Sequence, residues 1–204
     1  MDTRLQIISS SLNMFMRFGI KSVSMDNISS ELGMSKKTLY TYFKDKRELV
    51  NESVGYHFDC DQKQCGLMMS STHNAIEQLL KLAQHLSQNY QEINPSTLFD
   101  LRKYYPSSWK LFIAHKEVYI VDQVKTNIQL GQKSGLYRPE IDSDVIAKFY
   151  IELVEASINP DVFPLSKQPY INIAMQLMDY HLHALLTDQG RAELHEFKQI
   201  KYPT

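Results

Sequence analysis

Lys36, Lys37, Thr38, Tyr40 and Thr41 crowd into a stretch of six residues, and none needs to face inward if Leu39 and Phe43, four apart, hold a helix against a core. At about 100° per residue, the arc opposite Leu39 and Phe43 then carries ammonium groups, threonine hydroxyls and a phenol. Such a set is suited to donating hydrogen bonds to a polyanion. Lysine reaches a phosphate or a guanine, threonine a base edge or a thymine methyl, and tyrosine a phosphate oxygen. Tyr42 on the flank, and Lys46 at the start of the next helix after Asp45, are placed to grip a phosphate backbone beside the groove.

A short basic helix is by itself only a solvated face, so the elements that position it decide the matter. Leu5, Ile8, Leu12 and Phe15 recur at three- and four-residue intervals and predict a first helix that Gly19 can close in a left-handed C-terminal cap. Ser24 offers an N-cap hydroxyl to a second helix with Met25, Ile28 and Leu32 inward, which stops at Gly33. Only Met34 separates that glycine from Ser35, another N-cap residue, so the third helix starts within a tight turn and leaves at a steep angle. This bihelical arrangement fits a DNA groove.

With these residues in place, the segment resembles the TetR family of transcriptional regulators. The resemblance runs through Ile7, Phe15, Gly19, Ser24, Ile28, Leu32, Gly33, Ser35, Thr38, Leu39, Tyr40, Phe43, Lys46 and Leu49. The run from Ser35 to Phe43, followed by Lys46, is similar to that family's recognition helix, in which a hydroxyl-leucine-tyrosine step precedes an aromatic core residue. It covers about a quarter of the chain, the remainder agreeing in length and helical character as expected where C-terminal domains diverge. Ser10 and Ser29 stand where the family usually has alanine, and Lys37 where a small residue is common, which leaves base preference unreadable. The resemblance implies that Ser24, Tyr40, Tyr42 and Lys46 contact phosphates and that Lys36, Lys37, Thr38 and Thr41 lie near base edges. It places Phe15, Ile28, Leu39 and Phe43 in the core.

Charge is distributed to match. Residues 1–50 hold eight Lys or Arg against five Asp or Glu, a balance of +3, while the remainder holds fourteen against eighteen, a balance of −4. A head of that modest charge gains from acting as a pair, because DNA affinity rises with each phosphate neutralised. The 204 residues, 43% of them hydrophobic, suit a small head and a larger body, with boundaries expected at 1–48 and 49–204. No apolar run of transmembrane length and no signal-peptide pattern is present, so no membrane partner and a cytoplasmic location are expected.

The body reads as all-helical. Helices are expected at Asp45 to about Met69, Ala75–Tyr90 with Ile76, Leu79, Leu80, Ala83 and Leu86 inward, and from the Asn94-Pro95 cap to about Tyr104. Pro106 breaks the pattern before a long helix from about Ser107 to Lys133, which ends before Gly135. Two more are expected at 142–158 and 170–186, separated by a loop with Pro160, Pro164 and Pro169, and Gly190 is expected to set off a short last helix. The helices at 142–158 and 170–186 carry more apolar surface than one inward stripe needs, which implies a second buried face or a central place in the domain. The family resemblance implies that these two pair with their twins as a four-helix bundle in a homodimer.

Met68, Phe99, Tyr104, Tyr105, Trp109, Phe112, His115 and Tyr119 supply apolar walls with polar tips, the material of small-molecule pockets and equally of plain cores. The resemblance implies an effector here, and the tyrosine-rich lining favours a small apolar or aromatic molecule. Cys60 and Cys65, five apart on one helix, would point about 140° away from each other, which disfavours a disulfide. His57 and Cys65 are more than two turns apart, and His181 and His183 point to different faces, so no metal or other cofactor is expected. No nucleophile-base pair or phosphate-binding glycine loop supports an enzyme. Two functions remain: a homodimeric repressor released from a palindromic operator by an effector, and a DNA-binding regulator without one that acts constitutively or through a protein partner.

Overall fold

The computed structural model describes residues 2–91, 94, 96–159, 162–164 and 170–201. Its helices are α1 (Thr3–Phe18), α2 (Met25–Glu31), α3 (Lys36–Tyr42), α4 (Lys46–Ser70), α5 (Ala75–Gln91), α6 (Ser96–Tyr104), α7 (Pro106–Ala114), α8 (Val121–Lys133), α9 (Ser143–Ile158), α10 (Tyr170–Leu185) and α11 (Asp188–Lys201). Tyr137 and Leu186 form an isolated antiparallel bridge, and no strand occurs among the described residues. The all-α expectation holds. Two compact units form, one from Met1–Gln64 with Glu92–His115 and the other from Cys65–Gln91 with Lys116–Thr204.

In the first unit, the Asp2 carboxylate caps α1 by accepting from the Arg4 N–H, and the buried face of the helix is Ile7, Ile8, Ser11 and Phe15. Leu5 and Leu12 are only half-buried, so the stripe lies to one side of the expected one: Ser11, small enough to be enclosed completely, takes the centre. Ile28, Leu39, Phe43, Leu49 and Val50 complete the core, joined by Leu101 from far along the chain. Each large side chain buried this way contributes on the order of 1.5–3 kcal/mol. Gly19 departs from the left-handed cap expected of it. Its φ of 83° is positive but its ψ of 148° is extended, so the chain leaves α1 without folding back over the helix end.

The second unit is built on Ile76 and Leu79 of α5, Val124 and Ile128 of α8, Ala147, Tyr150 and Ile151 of α9, and Met178, Leu182 and Leu185 of α10. Asn127 is buried here and satisfied: its amide donates to the Ala75 carbonyl (2.8 Å) and to Gln78 Oε1 (3.2 Å), and its oxygen accepts from the Tyr137 hydroxyl (3.3 Å). The Tyr137 ring lies on Gly131, where any Cβ would collide with it. α9 presents two faces: opposite the buried residues, Val145, Phe149 and Leu153 are 46%, 61% and 44% exposed. Met175 and Tyr180 of α10 are exposed as well.

Three details differ from the sequence reading. Pro106 opens α7 rather than standing before it, because a first-turn proline has no N–H to lose. The expected single helix to Lys133 contains a π-helical stretch, His115–Ile120, between α7 and α8; hydrophobic spacing alone does not reveal one widened turn. Gly190 lies inside α11 instead of preceding it, since a Cβ there would collide with the Leu136 carbonyl: the glycine permits close approach rather than ending a helix. The side chains of Ala83, Leu86, Ile158 and Ile171, and residues Pro95, Pro160 and Pro169, lie outside what is described.

Candidate nucleic-acid interface

The turn between α2 and α3 is built from local hydrogen bonds. Ser24 and Asn27 form a reciprocal capping box at the start of α2, the Ser24 hydroxyl accepting from the Asn27 N–H (3.1 Å) while Asn27 Oδ1 accepts from the Ser24 N–H (2.9 Å). After α2 the Met34 N–H donates to the Ser29 carbonyl (3.0 Å), and Gly33 takes a φ of 62°, a conformation that a side chain would strain. Ser35 then caps α3 by accepting from the Thr38 N–H (3.0 Å).

Leu39 is completely enclosed and Phe43 nearly so, which turns the opposite side of α3 outward. Lys36, Lys37, Thr38, Tyr40 and Thr41 are all exposed there, so the structure brings the five expected groups onto one open face. Several carry internal partners. Lys36 pairs with Asp26 of α2, with Nζ 2.8 Å and 3.0 Å from its two oxygens, and this partner raises the lysine pKa. The Thr38 hydroxyl meets that of Ser35 (2.8 Å), and the Thr41 hydroxyl donates back to the Thr38 carbonyl (2.6 Å). Tyr42 is half-buried against the head core.

Lys46 sits differently from the exposed lysines. Its ammonium donates to the Ile20 carbonyl (2.6 Å), and partial burial lowers its pKa while the Asp100 carboxylate opposes that shift. Two contributors escaped sequence reasoning. Arg4 lies over the Phe43 ring, 4.8 Å from its centroid, and pairs with Glu52. Lys21 lies over the Tyr104 ring and donates to its hydroxyl (3.4 Å), which lowers the phenol pKa. Both contacts join residues tens of positions apart, and no local pattern announces them.

The residues expected to line a pocket divide between the units. In the first, Tyr105, Trp109 and Phe112 pack on the head core, Trp109 stacks on Phe112 at 4.8 Å, and Phe58 stacks on His115 at 4.3 Å. Tyr104 engages Lys21, and Phe99 is largely exposed with Lys103 over its ring. Met68 and Tyr119 belong to the second unit. Cys60 and Cys65 are not joined in a disulfide. Among the described residues, no helix is long and apolar enough to cross a membrane.

Comparison with known proteins agrees with this geometry. Residues 7–53 match the family model described as bacterial regulatory proteins, tetR family. Over 150 residues the chain is 28% identical to YvaF, an HTH-type transcriptional regulator of Bacillus subtilis, spanning 72% of this chain and 76% of that one. The fold is similar to that of a transcriptional regulator from Saccharomonospora viridis in complex with choline, with a TM-score of 0.74 at 18% identity over 91% of this chain and 98% of the other. It is also similar to a transcriptional regulator from Cytophaga hutchinsonii, with a TM-score of 0.73 at 22% identity over 91% and 100%. The names of these relatives describe them as regulators of transcription.

Proposed function

We propose that this chain, which carries the DNA-binding head of a TetR-family transcriptional regulator, works as a homodimeric repressor released from a palindromic operator by a small-molecule effector. The observation that carries the DNA-reading part is the open outer face of α3, on which Lys36, Lys37, Thr38, Tyr40 and Thr41 converge directly after a capped tight turn. Lys37 and Tyr40 are exposed and, among the described residues, make no side-chain hydrogen bond or ion pair that DNA would have to break, and Ser24, Tyr42 and Lys46 are read as phosphate contacts at the edges of this face. Lys46 keeps this role alongside its bond to Ile20, because an ammonium has three donors.

Dimerisation is supported by Val145, Phe149 and Leu153, spaced four apart on α9, and by Met175 and Tyr180 on the neighbouring α10. A second copy covers such a face, and two heads then meet two half-sites. An effector is supported by the aromatic group of Phe58, Trp109, Phe112 and His115, and the choline complex of the Saccharomonospora viridis relative is a precedent for a small ligand on this fold. The effector acts by population shift, binding the arrangement unable to hold DNA better than the competent one. Footprinting on a duplex that the chain selects tests the reading. Two protected half-sites about one helical turn apart, with affinity falling steeply as salt rises, support it; a single half-site or salt-independent binding contradicts it.

A further inference from the structure

The end of α1 is closed by residues that lie beyond the DNA-binding head in sequence. A helix leaves its last carbonyls short of partners; the Gly19 N–H reaches the Phe15 carbonyl (3.0 Å), and the extended exit at Gly19 forgoes the left-handed fold-back that would close the carbonyls after it. Asn94, just ahead of α6, and Thr97 within it supply the further donors. The Thr97 hydroxyl donates to the Phe15 carbonyl (3.0 Å), the Asn94 N–H to the Met16 carbonyl (2.6 Å) and the Asn94 amide to the Arg17 carbonyl (3.4 Å). Asn94 works at both ends: its Oδ1 caps α6 by accepting from the Ser96 N–H (2.9 Å). Ser96 lies so close to Gly19 that a Cβ on the glycine would collide with its hydroxyl.

One turn further along α6, Asp100 is only 5% exposed, and its Oδ2 accepts from the Lys21 N–H at 2.7 Å. The neighbouring Ile20 carbonyl is held by Lys46 of α4. The segment joining α1 to the Ser24 cap is therefore fastened from both sides, by a carboxylate on its N–H and an ammonium on its carbonyl. Leu101, buried in the head core, seats α6 beneath these polar contacts. Charge-assisted hydrogen bonds of this kind are roughly twice as strong as neutral ones, and a buried carboxylate deprived of its donor is costly.

We propose that Asn94, Thr97 and Asp100 are positioning residues for DNA binding: they form a cap, borrowed from about 80 residues downstream, that fixes the exit of α1 and the segment leading to Ser24. The helix-turn-helix holds its DNA-reading arrangement only while α6 is seated in this way. The inference rests on the DNA-binding reading above and adds to it that the stretch matching the family model is incomplete as a working head. None of the three residues touches DNA; each acts through the turn that carries α2 and α3.

The test uses the full chain with Asp100→Ala, Asp100→Asn and Thr97→Val. Two quantities are measured: affinity for a duplex that the wild-type chain recovers from a random pool, and amide hydrogen exchange across residues 19–43 and across α8 to α10. Asp100→Ala is expected to weaken binding by about tenfold, the scale of one lost charged hydrogen bond, and to speed exchange in 19–43 while α8 to α10 stay protected. Asp100→Asn keeps an oxygen acceptor for the Lys21 N–H and is expected to restore both readings to within about threefold of wild type. Thr97→Val, which keeps the shape and loses the donor, is expected to weaken binding several-fold. Wild-type affinity and exchange in Asp100→Ala would overturn the proposal, as would an Asp100→Asn chain as impaired as Asp100→Ala. Should Asp100→Ala lose protection in α8 to α10, Thr97→Val decides instead, and its unchanged binding and exchange would overturn the cap. A wild-type chain that recovers no duplex would overturn both the DNA-binding reading and the binding role assigned to the cap, whereas recovered DNA with variants that behave as wild type would overturn the cap alone.

Discussion

Tyr40 presents its ring from the middle of α3 at 44% exposure, and the head core does not depend on it. Tyr40→Phe is therefore expected to weaken operator binding by about 1 kcal/mol, one hydrogen bond, with unchanged thermal unfolding. Unchanged affinity in a fluorescence titration would remove the hydroxyl from the contacts. Lys37, exposed on the same face, is expected to act chiefly through charge: Lys37→Ala should reduce the slope of log affinity against log salt by about 1. A slope equal to that of wild type would contradict this. At this scale the sequence showed which residue types face outward, because Leu39 and Phe43 fix the rotation of α3. It could not show which donors were already engaged. The pairing of Lys36 with Asp26 and the bond from Lys46 to Ile20 depend on how α2, α4 and the intervening turn come together.

Helix positions were legible because caps and turn residues mark them: Ser24, Ser35 and Asp142 all cap as their types suggest. The π-helical stretch at His115–Ile120 and the close approach at Gly190 were not, since both arise from tertiary fit. The outer face of α9 gives an element-scale prediction. Phe149→Glu, placing a charge where a second copy would pack, is expected to leave the helical content intact and shift sedimentation from dimer to monomer; a dimer of unchanged stability would exclude this face. In α10, His181 is buried against the Tyr150 ring, 4.0 Å between centroids, and its Nε2 has no hydrogen-bond partner among the described residues. Burial lowers its pKa to about 4, so the folded protein holds it neutral while the unfolded chain protonates near its ordinary value of 6.5. Its contribution is then complete above about pH 6.5 and is lost as pH falls toward 4, amounting to about 2 kcal/mol at pH 5. His181→Leu is expected to flatten that part of the stability profile in urea titrations, and an unaltered acid slope would place the sensitivity elsewhere.

Across the whole molecule, charge and fold divide the labour. The first fifty residues carry +3 and the rest −4, so attraction to DNA is concentrated at one end of the sequence. The division of the structure is less simple than the expected boundary near residue 48, because Glu92–His115 join the unit that holds the head. Composition and periodicity see only neighbours in sequence, which is why α6 read as part of the body. The two-unit fold and the exposed face of α3 lead to one central claim, that this chain reads a two-fold DNA sequence through that helix. Selection from a random duplex pool at two salt concentrations, with wild type and Tyr40→Ala side by side, tests it most directly. A palindromic motif recovered by wild type and lost or strongly depleted with Tyr40→Ala is the predicted result; no motif, or the same motif recovered equally by both, would contradict the claim.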